Sequence, residues 1–122
     1  MVNNESSENY LETILLLSKK LPVVRSVDIA NELGFKKSSV SIAMKNLREK
    51  GHITVTDAGF IFLTDAGREI ADMIYERHES ITEFFVSLGV PEDIATEDAC
   101  RIEHVISPES FAALKKYIKQ NQ

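Results

Sequence analysis

The sequence predicts a mainly α chain: an N-terminal winged helix-turn-helix with a small β-hairpin wing, residues 1–65, followed by an α-helical body, residues 66–122. Three observations predict it. Two short helical patterns, "SVDIANELGF" and "KKSSVSIAMKNLREKG", are separated by a tight turn containing Gly34. The next stretch, "HITVTDAGFIFLT", alternates apolar and polar residues around a "DAG" turn. From Thr64 onward, apolar residues recur at helical rather than strand spacing.

In order, Tyr10, Leu11, Ile14, Leu15 and Leu17 predict a first helix over about Glu8 to Lys19, ended or followed by Pro22. Ser26 is expected to cap the second, whose stripe is Val27, Ile29, Ala30 and Leu33, with Gly34 at the C′ position. The third turns Val40, Ala43, Met44 and Leu47 inward and closes at Gly51. Ile53 and Val55 form one arm of the wing, and Phe60 to Leu63 the other. Thr64 is expected to cap a long helix reaching about Leu88, with a stripe of Ile70, Met73, Ile74, Ile81, Phe84, Phe85 and Leu88. Gly89 and Pro91 break it. A fifth helix is expected from about Glu92 to Val105, and a sixth from Ser107 and Pro108 to about Lys119.

The chain has 122 residues, is 43% hydrophobic and 27% charged, and so has globular rather than disordered character. Apolar runs such as Ile14 to Leu17 are far shorter than a membrane span. "MVNNESSENY" has no signal-peptide pattern, and a single cysteine excludes an internal disulfide. Together these features predict a cytoplasmic protein without a membrane partner.

The net charge of −5 is unevenly placed. Lys19 to Gly51 holds eight Lys or Arg against three Asp or Glu, a net of +5, which leaves −10 for the rest. That asymmetry suggests a basic tool joined to an acidic body, the alternative being ordinary scatter of surface charge. In a helix-turn-helix the second helix enters the major groove of DNA, with its N-terminal residues against base edges. Opposite the apolar face of the third helix lie Ser38, Ser41, Ile42 and Lys45, with Ser39 near its start. Ser hydroxyls can donate or accept there, and an apolar side chain can touch a thymine methyl. Lys36, Lys37, Lys45, Arg48 and Lys50 suit phosphates, which supply affinity without sequence information. Ile42 is either a groove contact or a scattered surface residue.

"DACRIEHV" places Cys100, Glu103 and His104 at i, i+3 and i+4, one face of a helix. His78 lies in the long helix, in a stretch, "YERHES", too polar for a core. Glu8 and Glu12 are an i, i+4 carboxylate pair on the first helix, with Asn9 between them. If these helices converge, Glu12, His78, Cys100, Glu103 and His104 could surround one transition-metal ion; carboxylate, imidazole and one sulfur suit Mn²⁺, Fe²⁺, Co²⁺, Ni²⁺ or Zn²⁺. The alternative is a solvated polar stripe beside a small buried cysteine. His52, at the start of the wing, is expected to be structural. A metalloenzyme finds little support: the candidates sit on helices, and no Gly-rich or nucleophile motif appears.

The order of helix, helix-turn-helix, wing ending in "LTDAG", long helix with "RHES", and "EDACRIEHVIS" resembles the diphtheria-toxin-repressor family of metal-dependent transcriptional regulators, which includes the manganese transport regulators. The resemblance covers nearly the whole chain. It implies a homodimer that grips a palindromic operator when Fe²⁺ or Mn²⁺ is bound and represses metal-uptake genes, with no small organic substrate. Residues 66–122 would then be the metal-binding and dimerisation domain. Cys100, Glu103 and His104 fall on the family's core ligand positions, Cys100 being the iron-type choice; His78 matches the long-helix histidine and Glu12 a first-helix carboxylate of the manganese type. Asn9 falls where Asp or Met is usual, with Glu8 as a substitute. Thr82 and Thr96 replace the acid and histidine of an ancillary site, and the end at Gln122 implies a short form without an SH3-like domain. Ile42 replaces an often polar groove-facing residue. The half-apolar faces with Phe84, Phe85, Phe111, Leu114 and Ile118 are expected to pack core and dimer interface. The alternative function is a metal-independent winged-helix DNA binder.

Overall fold

The computed structural model describes residues 5–121, so the first four residues of the N-terminal decapeptide lie outside it. Its elements are α1 (Glu5–Ser18), α2 (Ser26–Leu33), α3 (Lys37–Glu49), β1 (Ile53–Val55), β2 (Ile61–Leu63), α4 (Asp65–Ser87), α5 (Glu92–Ile102) and α6 (Pro108–Gln120). They fall into two compact units, Met1–Asp72 and Met73–Gln122, and α4 contributes to both. Among the described residues no helix is long and apolar enough to cross a membrane.

The first unit is a winged helix-turn-helix. Leu11, Ile14 and Leu15 of α1, Ile29 of α2, and Val40, Met44 and Leu47 of α3 are buried in its core. Ile53 and Ile61 are buried too, one from each arm of the wing. The arms pair antiparallel, Ile53 opposite Leu63 and Val55 opposite Ile61. Ile61 N–H also donates to the Val24 carbonyl at 2.8 Å, which ties the wing to the segment before α2. Gly34 ends α2 at φ 69°, in the left-handed region, and its N–H donates to the Ala30 carbonyl. The second unit holds the rest of α4 with α5 and α6. Ile74, Ile81, Ala95 and Ala99 are buried there, whereas α6 has no fully buried residue.

Two expected caps form: the hydroxyls of Thr64 and Ser107 accept from Gly67 N–H and Ser110 N–H, both at 3.1 Å. Three expectations are corrected. Ser26 does not cap α2; it is the first helical residue, Arg25 is the N-cap, and Asp28 accepts from Arg25 N–H at 2.9 Å. The carboxylate reaches back from the first turn to the N-cap N–H, a different donor from those a capping hydroxyl would serve. The fifth helix stops at Ile102, not Val105: Glu103 is its C-cap, and residues 103–105 form a turn. The third concerns the stripe expected of the long helix: Met73 is exposed rather than packed, as is Leu88, which lies one residue beyond the end of α4.

Gly67 sits in the first turn of α4, directly against the base of the wing. A Cβ there would overlap the His52 carbonyl oxygen, which accepts from Thr64 N–H. Backbone cannot rotate away as a flexible side chain can. The strain of overpacking, about 1–3 kcal/mol, should therefore exceed the roughly 1 kcal/mol that Ala offers a helix. Gly67→Ala is expected to lower the thermal unfolding midpoint by several degrees in a calorimetric scan; an unchanged or higher midpoint would refute the close approach.

Candidate metal centre

In the second unit, α4 presents Arg77 and His78, while the end of α5 and the following turn present Cys100, Glu103 and His104. Glu103 is only 1% exposed. A buried carboxylate must find partners or lose its charge. Its Oε2 meets His78 Nδ1 at 2.9 Å, and Cys100 Sγ lies 3.7 Å from the same nitrogen. One donor atom each from His78, Cys100 and Glu103 lies within 4.8 Å of the others. The His104 side chain is also enclosed, with Nε2 3.3 Å from Glu103 Oε1. The E-H dipeptide is therefore buried rather than solvated, and Cys100 is exposed rather than a small core residue.

These residues fit a transition-metal ion. Glu103 Oε1 is buried without a hydrogen bond, and sulfur, imidazole and carboxylate converge beside it. The Cys100 sulfur and then the Glu103 carboxylate hold a proton on His78 against partial burial, lifting its pKa from 6.5 to about 10.

His104 reaches the cluster from the turn, not from the helical face its spacing implied. Arg77 sets that turn. This residue is buried; its Nη1 donates to the Glu103 and Ile106 carbonyls at 3.2 and 3.1 Å, and its guanidinium lies 5.6 Å from the Phe111 ring centre. Sequence reasoning missed Arg77, because "YERHES" reads as a polar surface. Thr82, at an ancillary-site position, donates to the His78 carbonyl at 2.7 Å, and Thr96 is half-buried.

The first-helix candidates belong to the first unit. Glu12 is buried on α1, and Glu8 and Asn9 are half-buried one turn earlier. Also in the first unit, Lys36, Lys37, Ser38, Ser39, Ser41, Ile42, Lys45 and Arg48 are all exposed at or on α3. A groove lined by Ser26, Ser41, Lys45, Arg48 and Val55 runs between α3 and the wing.

Fold and site together define a winged-helix DNA-binding protein with a helical metal-binding body. Residues 4–59 match the iron dependent repressor N-terminal DNA binding domain, and residues 64–122 match the iron dependent repressor metal binding and dimerisation domain. The chain is 34% identical to an uncharacterised HTH-type transcriptional regulator of Methanocaldococcus jannaschii, over 96% of this chain and 95% of the relative. It is 32% identical to the transcriptional regulator MntR of Escherichia coli O6:H1, over 96% of this chain and 76% of that one. A manganese-dependent transcriptional repressor in complex with manganese superposes with a TM-score of 0.85 at 26% identity, covering 92% of this chain and 52% of that one. The chain belongs to the iron-dependent repressor family: it is a metal-dependent, dimer-forming DNA-binding repressor of transcription, not an enzyme.

Two outcomes follow from the site. Cys100 and Glu103 raise the His78 pKa to about 10, so an ion bound through Nδ1 would displace the proton held there. Apparent metal affinity should rise with pH and fall in acid, and calorimetry in buffers of different ionisation enthalpy should show protons released on binding; no release would contradict the assignment. Arg77→Ala, which frees the turn carrying Glu103, should weaken metal binding by about 10–100-fold, the usual range for a supporting residue. Unchanged affinity in a folded variant would deny Arg77 that role.

Proposed function

We propose that this chain is a homodimeric repressor of metal-uptake genes that acts on a palindromic operator in the cytoplasm when loaded with Fe²⁺ or Mn²⁺. The observation that carries this reading is the meeting of His78, Cys100 and Glu103, one donor atom from each within 4.8 Å of the others, on a buried carboxylate whose second oxygen has no hydrogen bond. His78, Cys100, Glu103 and His104 form the ligand set of the second unit. Glu12 is the first unit's candidate, supported by its burial, with Glu8 and Asn9 one turn before it. When bound, the ion supplies positive charge that compensates the buried carboxylate. A sulfur donor favours Fe²⁺ over Mn²⁺, since carboxylate and water suit manganese better and affinities rise from Mn²⁺ to Fe²⁺.

On DNA, Ser38, Ser39 and Ser41 lie where a recognition helix meets base edges, and Lys36, Lys37, Lys45 and Arg48 suit phosphates. α6 has no fully buried residue and Tyr117 is exposed, which supports a second copy covering this part of the second unit. Metal and operator would be coupled by about 1–3 kcal/mol, and equally in both directions.

The test begins with calorimetric titration of metal-stripped protein with Mn²⁺, anaerobic Fe²⁺, Co²⁺ and Zn²⁺, beside Glu103→Ala, His104→Ala. One or two ions per chain, lost in the double variant, are expected. Binding equally well in the variant would overturn the site. DNA retention is then measured by anisotropy with and without chelator; binding that a chelator leaves unchanged would make the protein a metal-independent winged-helix regulator. Cys100→Glu should shift the ion ranking toward Mn²⁺, and an unchanged ranking would remove sulfur from the coordination shell.

A further inference from the structure

α3 has its orientation fixed by Val40, Met44 and Leu47, all buried on one face. The opposite face is therefore fixed as well. Ser38 and Ser39 lie one turn before Ile42, Lys45 and Asn46 lie one turn after it, and all four are exposed. Ile42 at their centre is 64% exposed. Among the described residues of α3 no other large apolar side chain is exposed. A lone exposed aliphatic residue is common and means little by itself. Its place is what gives it meaning: it lies in the first half of the helix that enters the major groove, flanked by donors and acceptors.

Isoleucine can neither donate nor accept a hydrogen bond, so the nitrogen and oxygen code of the major groove is closed to it. The 5-methyl group of thymine is the one hydrocarbon that ordinary bases present in that groove. Contact between the two would remove apolar surface of both from water, which is favourable, whereas a base edge left against Ile42 would lose water without replacement.

We propose that Ile42 is a specificity-determining residue that reads a thymine 5-methyl group in each half of the DNA site. This deepens the DNA-binding reading above and rests on it. The recognised feature is the methyl, not the base. Thymine and 5-methylcytosine should therefore be favoured there, and uracil and cytosine disfavoured.

The probe is a duplex enriched from a random-sequence pool by the full chain loaded with Mn²⁺. Each thymine is then replaced singly by uracil, which keeps the pairing and removes only the methyl. At one position per half-site, uracil should weaken binding about fourfold, the worth of one buried methyl group. Cytosine there, in a G·C pair, should gain about the same factor on 5-methylation. Ile42→Ala, at an exposed position, should melt like the wild type, keep its metal requirement and salt dependence, and bind thymine and uracil duplexes alike. Two results overturn the proposal: no uracil position that weakens the wild type, or a uracil penalty that persists in Ile42→Ala. Failure to enrich any duplex in the presence of metal would overturn both this proposal and the DNA-binding function beneath it.

Discussion

A carboxylate almost wholly removed from water organises the second unit. Burying an ionised carboxylate without partners is too costly to persist, so the surroundings of Glu103 have to compensate it. His78 does so at one oxygen. Arg77, the residue before it, turns elsewhere and binds the backbone carbonyls of Glu103 and Ile106. Consecutive residues of a helix point about 100° apart, so α4 can offer a structural cation and a candidate metal-ligating imidazole in adjacent positions. The compensation is weaker at the other oxygen, which has His104 Nε2 at 3.3 Å but no hydrogen bond. That weaker compensation is what a divalent cation can exploit.

The first unit is shaped by a different constraint. Its core needs only small apolar stripes from three helices and two short strands, which leaves the outer face of α3 free to serve recognition. The net charge of −5 conceals this division. Phosphate attraction acts within roughly 10 Å at ordinary ionic strength, so the exposed lysines at and on α3, the proposed phosphate contacts, would matter to DNA more than distant acidic residues. In such a recognition helix affinity and information fall to different groups: charge binds any duplex, and uncharged side chains distinguish sequences, the division proposed here for α3.

Much of this was legible in the sequence, and particular residues show why. The fold class follows from periodicity and from local punctuation: Gly34 takes the one backbone conformation that favours it, and Thr64 and Ser107 cap the helices they precede. Ser26 shows the limit: Asp28, two residues on, accepts from Arg25 N–H, and the helix starts with Arg25 rather than Ser26 as its N-cap. Helical spacing grouped Cys100, Glu103 and His104, but for a reason only partly right. Cys100 and Glu103 are one turn apart, whereas His104 arrives through the turn beyond Ile102. Arg77 left no local signal. Its acceptors lie 26 and 29 residues away and are backbone oxygens, which no side-chain pattern records.

The hydrogen bonds of His78 also bear on how a metal-dependent repressor sets its threshold. A site with ligands already bare and aligned would capture ions at concentrations too low to report a change in supply. Here His78 is engaged with Glu103 and Cys100, which raise its pKa, so an ion bound through the proposed His78 ligand would displace a proton and a hydrogen bond together. That competition lowers apparent affinity without removing a ligand. Stronger pairing between His78 and Glu103 therefore means a higher metal concentration at half-occupancy, and through reciprocal linkage a higher concentration before DNA binding tightens. The pairing of His78 with Glu103 therefore bears on the sensitivity proposed for the repressor as well as on its ligand set.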